Sequence, residues 1–321
     1  MKLAFLFPGQ GSQAVGMLDS LAAIPAVADL IRTADEALGE PLSQLIAQGP
    51  AESLSLTVNT QPAMLLAGLA AHLAWCQAGG AQAVVMAGHS LGEYTALTAA
   101  QAFDPADAIR LVRLRAQAMQ DAVPVGAGGM AAILGLSDDQ VRQACREATE
   151  SLAAQPSSHA DVAEVVEPAN FNAPSQVVIA GSKRAVERAC EAAKALGAKR
   201  ALPLPVSAPF HSSLLRPAGD RLAVALAANP PRAPRIPVIN NVDVGMPTDP
   251  SAIIDALVRQ SFGPVRWVEL VQAIEAMGVT HVIEFGPGKV LGGLVKRIAP
   301  SLGVHTVFDA ASLEATLKEL A

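Results

Sequence analysis

Residues 88–92 read Gly-His-Ser-Leu-Gly and lie between a short apolar run and an alanine-rich segment. The run at residues 83–87 has the pattern of a buried strand, and the segment after it has that of a helix. In this context G-x-S-x-G is typical of a nucleophile elbow, a sharp turn that holds the serine strained and exposed. Glycines bracket the serine because side chains there would clash. The context, more than the bare pattern, predicts an α/β fold in which Ser90 forms a covalent acyl intermediate.

Short apolar runs alternate with alanine- and leucine-rich segments along most of the chain, which indicates an α/β fold with a mainly parallel sheet. The clearest predicted strands are residues 3–7, 83–87, 237–240, 280–285 and 303–307. Helical patterns cover residues 61–77, 92–100, 104–122, 212–228, 250–260 and 288–298.

The order of predicted strands and helices changes between residues 126 and 203. The predicted order there is strand 130–134, helix 137–150 capped by Ser137, strands 164–170 and 176–180, helix 182–196 and strand 199–204. The order β-α-β-β-α-β is that of a ferredoxin-like unit. We therefore predict an α/β-hydrolase-like large domain formed by residues 1–125 and 204–321, with a ferredoxin-like subdomain inserted at residues 126–203. Residues 153–161 are expected to form an exposed loop within the insert.

A serine hydroxyl needs a base, and the chain has six histidines. His211 follows a proline-containing loop and opens a predicted helix, which is where catalytic groups are often held. His89 adjoins Ser90 and is better placed to support the loop. The other four are His72 in an apolar helix, His159 in a polar loop, and His281 and His305 in or beside strands. Spacing alone does not separate His211 from the other five taken together.

No acidic residue stands out as the partner that would orient the base. The possible partners are Asp220, Asp243 and Glu284. A backbone carbonyl can also hold a histidine in one tautomer. The sequence leaves these alternatives open.

Two glycine-rich turns and one arginine cluster have ordinary explanations beside functional ones. Residues 8–13 fail the G-x-G-x-x-G fingerprint, so they are either a plain turn or a source of backbone N–H donors facing the serine. Residues 286–289 do not fit a P-loop and are interpreted as a structural turn. The arginines are Arg110, Arg113 and Arg115 on one predicted helix. A solvated helix face is the default there, although an arginine within a pocket would select a carboxylate.

Composition and charge exclude several classes of protein. The chain has 321 residues, 51% of them hydrophobic and 16% charged, which suffices for a sizeable core. A formal charge of −6 argues against nucleic-acid binding, which usually requires an excess of basic residues. The apolar run at residues 3–7 is too short for a signal peptide, and no stretch approaches a membrane span. The cysteines Cys76, Cys145 and Cys190 are expected to be free thiols. We expect a soluble cytoplasmic protein that binds neither nucleic acid nor membrane.

Several sequence blocks, in fixed order along essentially the whole chain, resemble one family. They are residues 7–13, 60–63, 88–94, 114–115, 170–172, 176–181, 209–211, 258–260 and 284–289. Together they resemble the malonyl-CoA:acyl carrier protein transacylases of bacterial type II fatty acid synthesis. The resemblance also supports the ferredoxin-like insert.

The resemblance implies roles for individual residues. Ser90 would be acylated, His211 would be its base, and the main-chain carbonyl of Gln260 would orient the imidazole. The remaining implied roles belong to the oxyanion donors Gln10 and Leu91, to Arg115 and Gln61 at the malonyl carboxylate, and to His89, Asn172 and Phe210 around the substrate. Phe210 would fill the space that an α-methyl group needs. The family implies malonyl-CoA and acyl carrier protein as substrates, a monomer, and no metal or redox cofactor.

Other functions remain open at this stage. A trans-acting polyketide acyltransferase, or the malonyl transferase of malonate decarboxylase, would keep the chemistry and change the pathway. An esterase or lipase would not need Arg115 and would normally show an acidic triad member. A catalytically silent carrier-binding module has no need to keep Ser90, His211 and Arg115 together.

Overall fold

The computed structural model describes residues 1–153, 162–206 and 208–321, which form nine strands and thirteen α-helices. The strands are β1 (Leu3–Phe7), β2 (Val85–Gly88), β3 (Gly128–Leu134), β4 (Val166–Ala173), β5 (Gln176–Ser182), β6 (Arg200–Pro203), β7 (Val238–Ile239), β8 (His281–Phe285) and β9 (Gly303–Val307). The helices are α1 (Pro25–Leu38), α2 (Leu42–Gln48), α3 (Ala51–Leu54), α4 (Thr57–Gln77), α5 (Leu91–Ala99), α6 (Pro105–Asp121), α7 (Asp138–Leu152), α8 (Lys183–Ala195), α9 (Arg216–Ala228), α10 (Pro250–Phe262), α11 (Trp267–Ala276), α12 (Val290–Ile298) and α13 (Ala310–Leu320). His159 and nearly all of the predicted loop at 153–161 lie outside the described residues.

The first sheet has the strand order β7-β2-β1-β8-β9, and every neighbouring pair in it is parallel. Strand β1 is buried at all of its positions because helices cover both faces of the sheet. Phe5 and Phe7 pack in a core with residues of α1, α4 and α6, whereas Ala4 and Leu6 pack in a second core with residues of α11 and α12. The predicted strands at 3–7 and 303–307 have the observed bounds, and the other three differ by one or two residues at one or both ends.

The second sheet has the order β4-β5-β3-β6, with antiparallel pairs throughout. Helices α7 and α8 cover one face of it and share its apolar core. The order of elements and the sheet topology are those of a ferredoxin-like unit, as predicted. Ser137 caps α7 and forms a reciprocal capping box with Gln140, which confirms the predicted cap. The boundaries at residues 126 and 203 stay a prediction.

Apart from shifts of one or two residues at helix ends, the helices differ from the sequence prediction in three respects. Helix α4 begins at Thr57, one turn before the predicted start, so Pro62 lies inside the helix. The predicted helix at 212–228 is divided into a 3-10 turn, Ser213–Leu215, followed by α9. Helices α1, α2, α3, α11 and α13 fall outside the predicted helical segments.

The carboxyl ends of β1, β2 and β7 lie side by side, because these strands are adjacent and parallel. In open α/β sheets, ligands bind at this edge. The chain after β1 and the elbow after β2 therefore meet there. None of the helices in the described part of the chain is long and apolar enough to cross a membrane. Each of the three cysteines is a free thiol, as predicted.

Candidate active site

The turn from β2 into α5 has the geometry of a nucleophile elbow. Ser90 has φ 54° and ψ −110°, a strained conformation for a residue with a side chain. A Cβ on Gly88 would lie 1.9 Å from the carbonyl carbon of Gly92, and one on Gly92 would lie 2.0 Å from the carbonyl oxygen of Phe7. Both positions therefore require glycine because backbone approaches them too closely for any side chain. This confirms the steric reason predicted from the sequence.

His211 is the histidine that contacts the serine. Its Nε2 lies 2.7 Å from Ser90 Oγ, and its Nδ1 lies 2.8 Å from the main-chain oxygen of Gln260. Because a carbonyl oxygen only accepts hydrogen bonds, the Nδ1–H donates to it and Nε2 is left free to accept a proton. Burial, and then the positive charge of Arg115, lower the pKa of His211 from 6.5 to about 3. The imidazole is therefore neutral at physiological pH and can act as a base.

His72, His281 and His305 lie away from the serine, and only His89 shares the site with His211 among the other described histidines. His72 packs edge-on against Phe5 and Phe285 inside the large core. His281 stacks on His305 at the far end of the sheet. Among the described histidines, only His211 therefore contacts Ser90 Oγ, which favours it as the base.

None of the three acidic candidates orients His211. Asp243 pairs with Arg259, and Asp220 is exposed on α9. Both carboxylate oxygens of Glu284 accept N–H groups from the first turn of α12, those of Leu291 and Gly292. The carbonyl of Gln260 occupies the position that a carboxylate would otherwise hold.

Arg115 is buried beside the serine, with only 2% of its surface exposed. Its guanidinium donates to Gln61 Oε1 at 2.9 Å, to Gln260 Oε1 at 3.0 Å and to Ser90 Oγ at 3.2 Å. Among the described residues, no acidic side chain forms an ion pair with it. Arg110, by contrast, pairs with Asp107 at the surface. The solvated-face interpretation therefore holds for Arg110 and is wrong for Arg115.

A cavity of about 280 Å³ opens onto Ser90, His211 and Arg115. Its walls come from the loop after β1, from the elbow, and from Met130, Asn170, Asn172 and Val178 of the inserted sheet. The cavity thus lies between the parallel sheet and the insert, where an acyl group could reach the serine.

Gln10 and Leu91 line the same cavity as Ser90. Leu91 is the first residue of α5, so its N–H has no partner within the helix. The loop after β1 lies directly against the elbow, because a Cβ on Gly9 would be 2.8 Å from the carbonyl oxygen of His89. This placement favours the interpretation of residues 8–13 as a source of backbone donors over that of a plain turn.

His89 supports the site without contacting Ser90 Oγ. Its Nε2 donates to Asn172 Oδ1 at 2.8 Å, and its ring packs against Trp267 at 5.4 Å between centroids. This bond joins the elbow to β4 of the insert. Phe210 and Asn172 line the cavity, where the sequence resemblance placed them.

Two residues that the sequence analysis missed hold the elbow in place. Asn241 accepts from the N–H of Ser90 at 2.7 Å and donates to the carbonyl of Gly88 at 2.8 Å. Oε2 of Glu93, which is 1% exposed, accepts from the N–H of Asn241 and from Nε2 of Gln260, both at 2.9 Å. The position of Asn241 directly after a predicted strand was the only signal for it, and Glu93 resembled an ordinary acidic residue in a first helical turn.

Comparisons with known proteins find relatives that match nearly the whole chain. The family model for the acyl transferase domain matches residues 4–301. The chain is 52% identical to the malonyl CoA-acyl carrier protein transacylase of Salmonella typhimurium over 99% of each chain. It is 44% identical to that of Bacillus subtilis, over 99% of this chain and 97% of the other.

Solved structures of related enzymes have the same fold as this chain over nearly its whole length. The acyl-carrier-protein S-malonyltransferase of Burkholderia pseudomallei superposes with a TM-score of 0.93 at 61% identity, over 99% of this chain and all of the other. A malonyl-transacylase solved in complex with a type II polyketide synthase acyl-carrier protein gives a TM-score of 0.93 at 48% identity, with the same coverage.

Proposed function

This chain belongs to the malonyl-CoA:acyl carrier protein transacylase family of acyltransferases, and we propose that it transfers malonyl from CoA to the pantetheine thiol of an acyl carrier protein. The transfer has two halves joined by a malonyl ester on Ser90. The product supplies fatty acid synthesis.

In the first half, Ser90 Oγ attacks the thioester carbonyl while His211 Nε2 takes the hydroxyl proton. The N–H groups of Gln10 and Leu91 stabilise the oxyanion of the tetrahedral intermediate. The intermediate then collapses, the carbon–sulfur bond breaks, and Nε2 returns its proton to the departing CoA sulfur.

The second half reverses these steps with a new thiol. The pantetheine thiol gives its proton to Nε2, and its sulfur attacks the Ser90 ester. The serine oxygen leaves and regains the proton. These bond changes require no metal or redox cofactor.

The observation that carries this proposal is the buried Arg115 guanidinium, 3.2 Å from Ser90 Oγ and without an acidic partner among the described residues. A malonyl carboxylate would supply that partner with a bidentate geometry. The same contact would hold the acyl group in both halves of the reaction. A plain esterase has no use for this cation, and a silent binding module has no use for the serine–histidine contact.

Polyketide synthesis is a second candidate for the pathway that this enzyme supplies, and one solved structure supports it. The malonyl-transacylase solved with a polyketide synthase carrier is as similar in fold as the other neighbours, so a polyketide carrier is a second possible acceptor. The sequence blocks resemble the transacylases of fatty acid synthesis, and the malonyl CoA-acyl carrier protein transacylase of Salmonella typhimurium is 52% identical against 48% for the polyketide carrier's partner, which favours the first. We also propose a monomer in the cytoplasm.

A transfer assay with two acceptors tests the function. The enzyme is mixed with malonyl-CoA and either a fatty acid synthase carrier or a polyketide carrier, each with its pantetheine arm, and the carriers' masses are measured. We expect malonyl on both and faster transfer to the first, with apo carriers as controls. Faster transfer to the polyketide carrier would favour the second candidate, and release of free malonate without transfer would contradict both.

A further inference from the structure

Gln260 connects the groups of the site through its main chain and its side chain at once. Its carbonyl holds His211, and its Nε2 donates to the main-chain oxygen of Ser90 and to Oε2 of Glu93, both at 2.9 Å. Its Oε1 accepts from Arg115 at 3.0 Å. One buried side chain therefore sets the surroundings of both the nucleophile and the guanidinium.

The direction of the Gln260 amide matters because a half-turn would exchange its oxygen and nitrogen. After such a turn the NH₂ group would face the Arg115 guanidinium, which cannot accept, and the oxygen would face two acceptors. Oε2 of Glu93 is the side-chain acceptor among these partners and accepts from Nε2 at 2.9 Å, so this bond constrains the direction of the amide.

Glu93 also holds Asn241, the second residue that supports the elbow. Its Oε2 accepts from the N–H of Asn241, whose side chain holds Ser90 and Gly88. One carboxylate oxygen in the first turn of α5 thus joins the loop after β7 to the end of α10. These two segments carry the residues that hold the nucleophile, the base and the cation.

We propose that Glu93 is a positioning residue of the transfer, which keeps the Gln260 amide oxygen directed at Arg115 and so keeps the guanidinium ready for a carboxylate. The proposal rests on the proposed function, because the carboxylate in question is that of the malonyl group.

The burial of Glu93 supports a role beyond packing, since a buried carboxyl is costly where an apolar residue would fill the same space. Burial raises the pKa of Glu93 to about 7, and the hydrogen bonds from Gln260 and Asn241 and the charge of Arg115 act in the opposite direction. The charge of Asp243 adds to the rise.

The test compares two substitutions of Glu93 by the ratio of kcat/KM for malonyl-CoA to that for acetyl-CoA. Glu93→Gln keeps an oxygen for both donors, so we expect the ratio to stay within about threefold of wild type. Glu93→Met has similar volume and no acceptor, so the ratio should fall by about tenfold or more. A merely structural role would lower both rates together and leave the ratio unchanged, which would overturn the proposal.

A double-mutant cycle shows whether Glu93 acts through Gln260. Gln260→Met keeps the carbonyl that holds His211 and removes the acceptor of Arg115, so it should lower the ratio as much as Glu93→Met does. The double variant should lower it no further, because the second change removes a contact already lost. Additive losses would overturn the proposal. If Glu93→Met does not fold, an unchanged ratio in Gln260→Met overturns it as well.

The substrate preference of the wild-type enzyme distinguishes a failure of this proposal from a failure of the proposed function. Absence of any wild-type preference for malonyl-CoA would refute both. A wild-type preference that survives both methionine substitutions would refute only the role of Glu93.

Discussion

The main-chain oxygen of Gln260 lies 2.8 Å from Nδ1 of His211, while Nε2 of the same ring lies 2.7 Å from the side-chain Oγ of Ser90. In serine hydrolases with an acidic third member, a carboxylate holds the ring and also stabilises the imidazolium that forms. A carbonyl provides the first of these effects without a full negative charge. The site therefore fixes the tautomer of His211 while burial and Arg115 keep its pKa low.

The low pKa of His211 predicts that the folding stability of the protein depends on pH through this residue. The folded pKa of about 3 lies below the unfolded value of 6.5, so only the unfolded chain binds a proton between these values. Stability from this group is complete above pH 6.5 and is lost as the pH falls toward 3. Between about pH 7.5 and about pH 5, wild type should lose about 2 kcal/mol relative to His211→Ala.

Urea unfolding of both proteins at the two pH values checks this. Phe103→Ala, which removes no titrating group, should keep a constant difference from wild type. A pH-independent difference between wild type and His211→Ala would mean that the ring is not held neutral.

Arg115→Ala should lose activity with malonyl-CoA selectively. Hydrogen bonds to a charged group contribute about 1.5–3 kcal/mol each, so losing a bidentate pair should lower kcat/KM roughly 100-fold or more. Acetyl-CoA has no carboxylate and should be used relatively better by this variant than by wild type. Arg110→Ala, on the exposed side of the same helix, is the matched control and should behave as wild type. An unchanged malonyl preference in Arg115→Ala would remove the carboxylate-binding role.

Phe210 lines the cavity and is expected to occupy the space of an α-methyl group. Phe210→Ala should therefore raise the use of methylmalonyl-CoA relative to malonyl-CoA by about tenfold, the effect of one methyl group in an apolar pocket. Competition between the two substrates measures the ratio directly. Phe103→Ala is a control of similar burial that does not line this cavity, and an equal change in that variant would contradict the assignment.

Glycine at position 92 is predicted to be required by backbone contact. Alanine normally stabilises a helix by about 1 kcal/mol over glycine, but here its Cβ would lie 2.0 Å from the carbonyl oxygen of Phe7. Gly92→Ala should therefore lower the free energy of unfolding. A Cβ on Gly293 in α12 would meet no described atom within 4 Å outside its own helix, so Gly293→Ala should raise it by up to about 1 kcal/mol. Equal effects of the two substitutions would contradict the account of the elbow.

The elbow and the ferredoxin-like insert were predictable because local patterns determine them. The serine, its glycines and the strand before them are contiguous, and the insert shows six elements in a recognisable order. Helices α2 and α3 were missed because they are short and depend on tertiary burial of Leu42, Ile46 and Leu54 rather than on a strong pattern of their own.

The burial of Arg115 was not predictable from periodicity. Helix α6 packs against α1, α4 and α9, so it lacks a single solvated face. Only the resemblance to the family assigned a role to this arginine. Glu93 and Asn241 act through contacts between segments about 150 residues apart, 148 in the case of their mutual hydrogen bond, and no local pattern reveals such contacts.

Acylation of Ser90 is the central claim, and intact-protein mass spectrometry tests it directly. The enzyme is incubated with malonyl-CoA in the absence of any carrier protein, and the modified peptide is then located. We predict the mass increase of one malonyl group on Ser90, its loss on addition of carrier protein, and no such adduct in Ser90→Ala. An equal adduct in Ser90→Ala, or transfer to the carrier by that variant at the wild-type rate, would contradict the account.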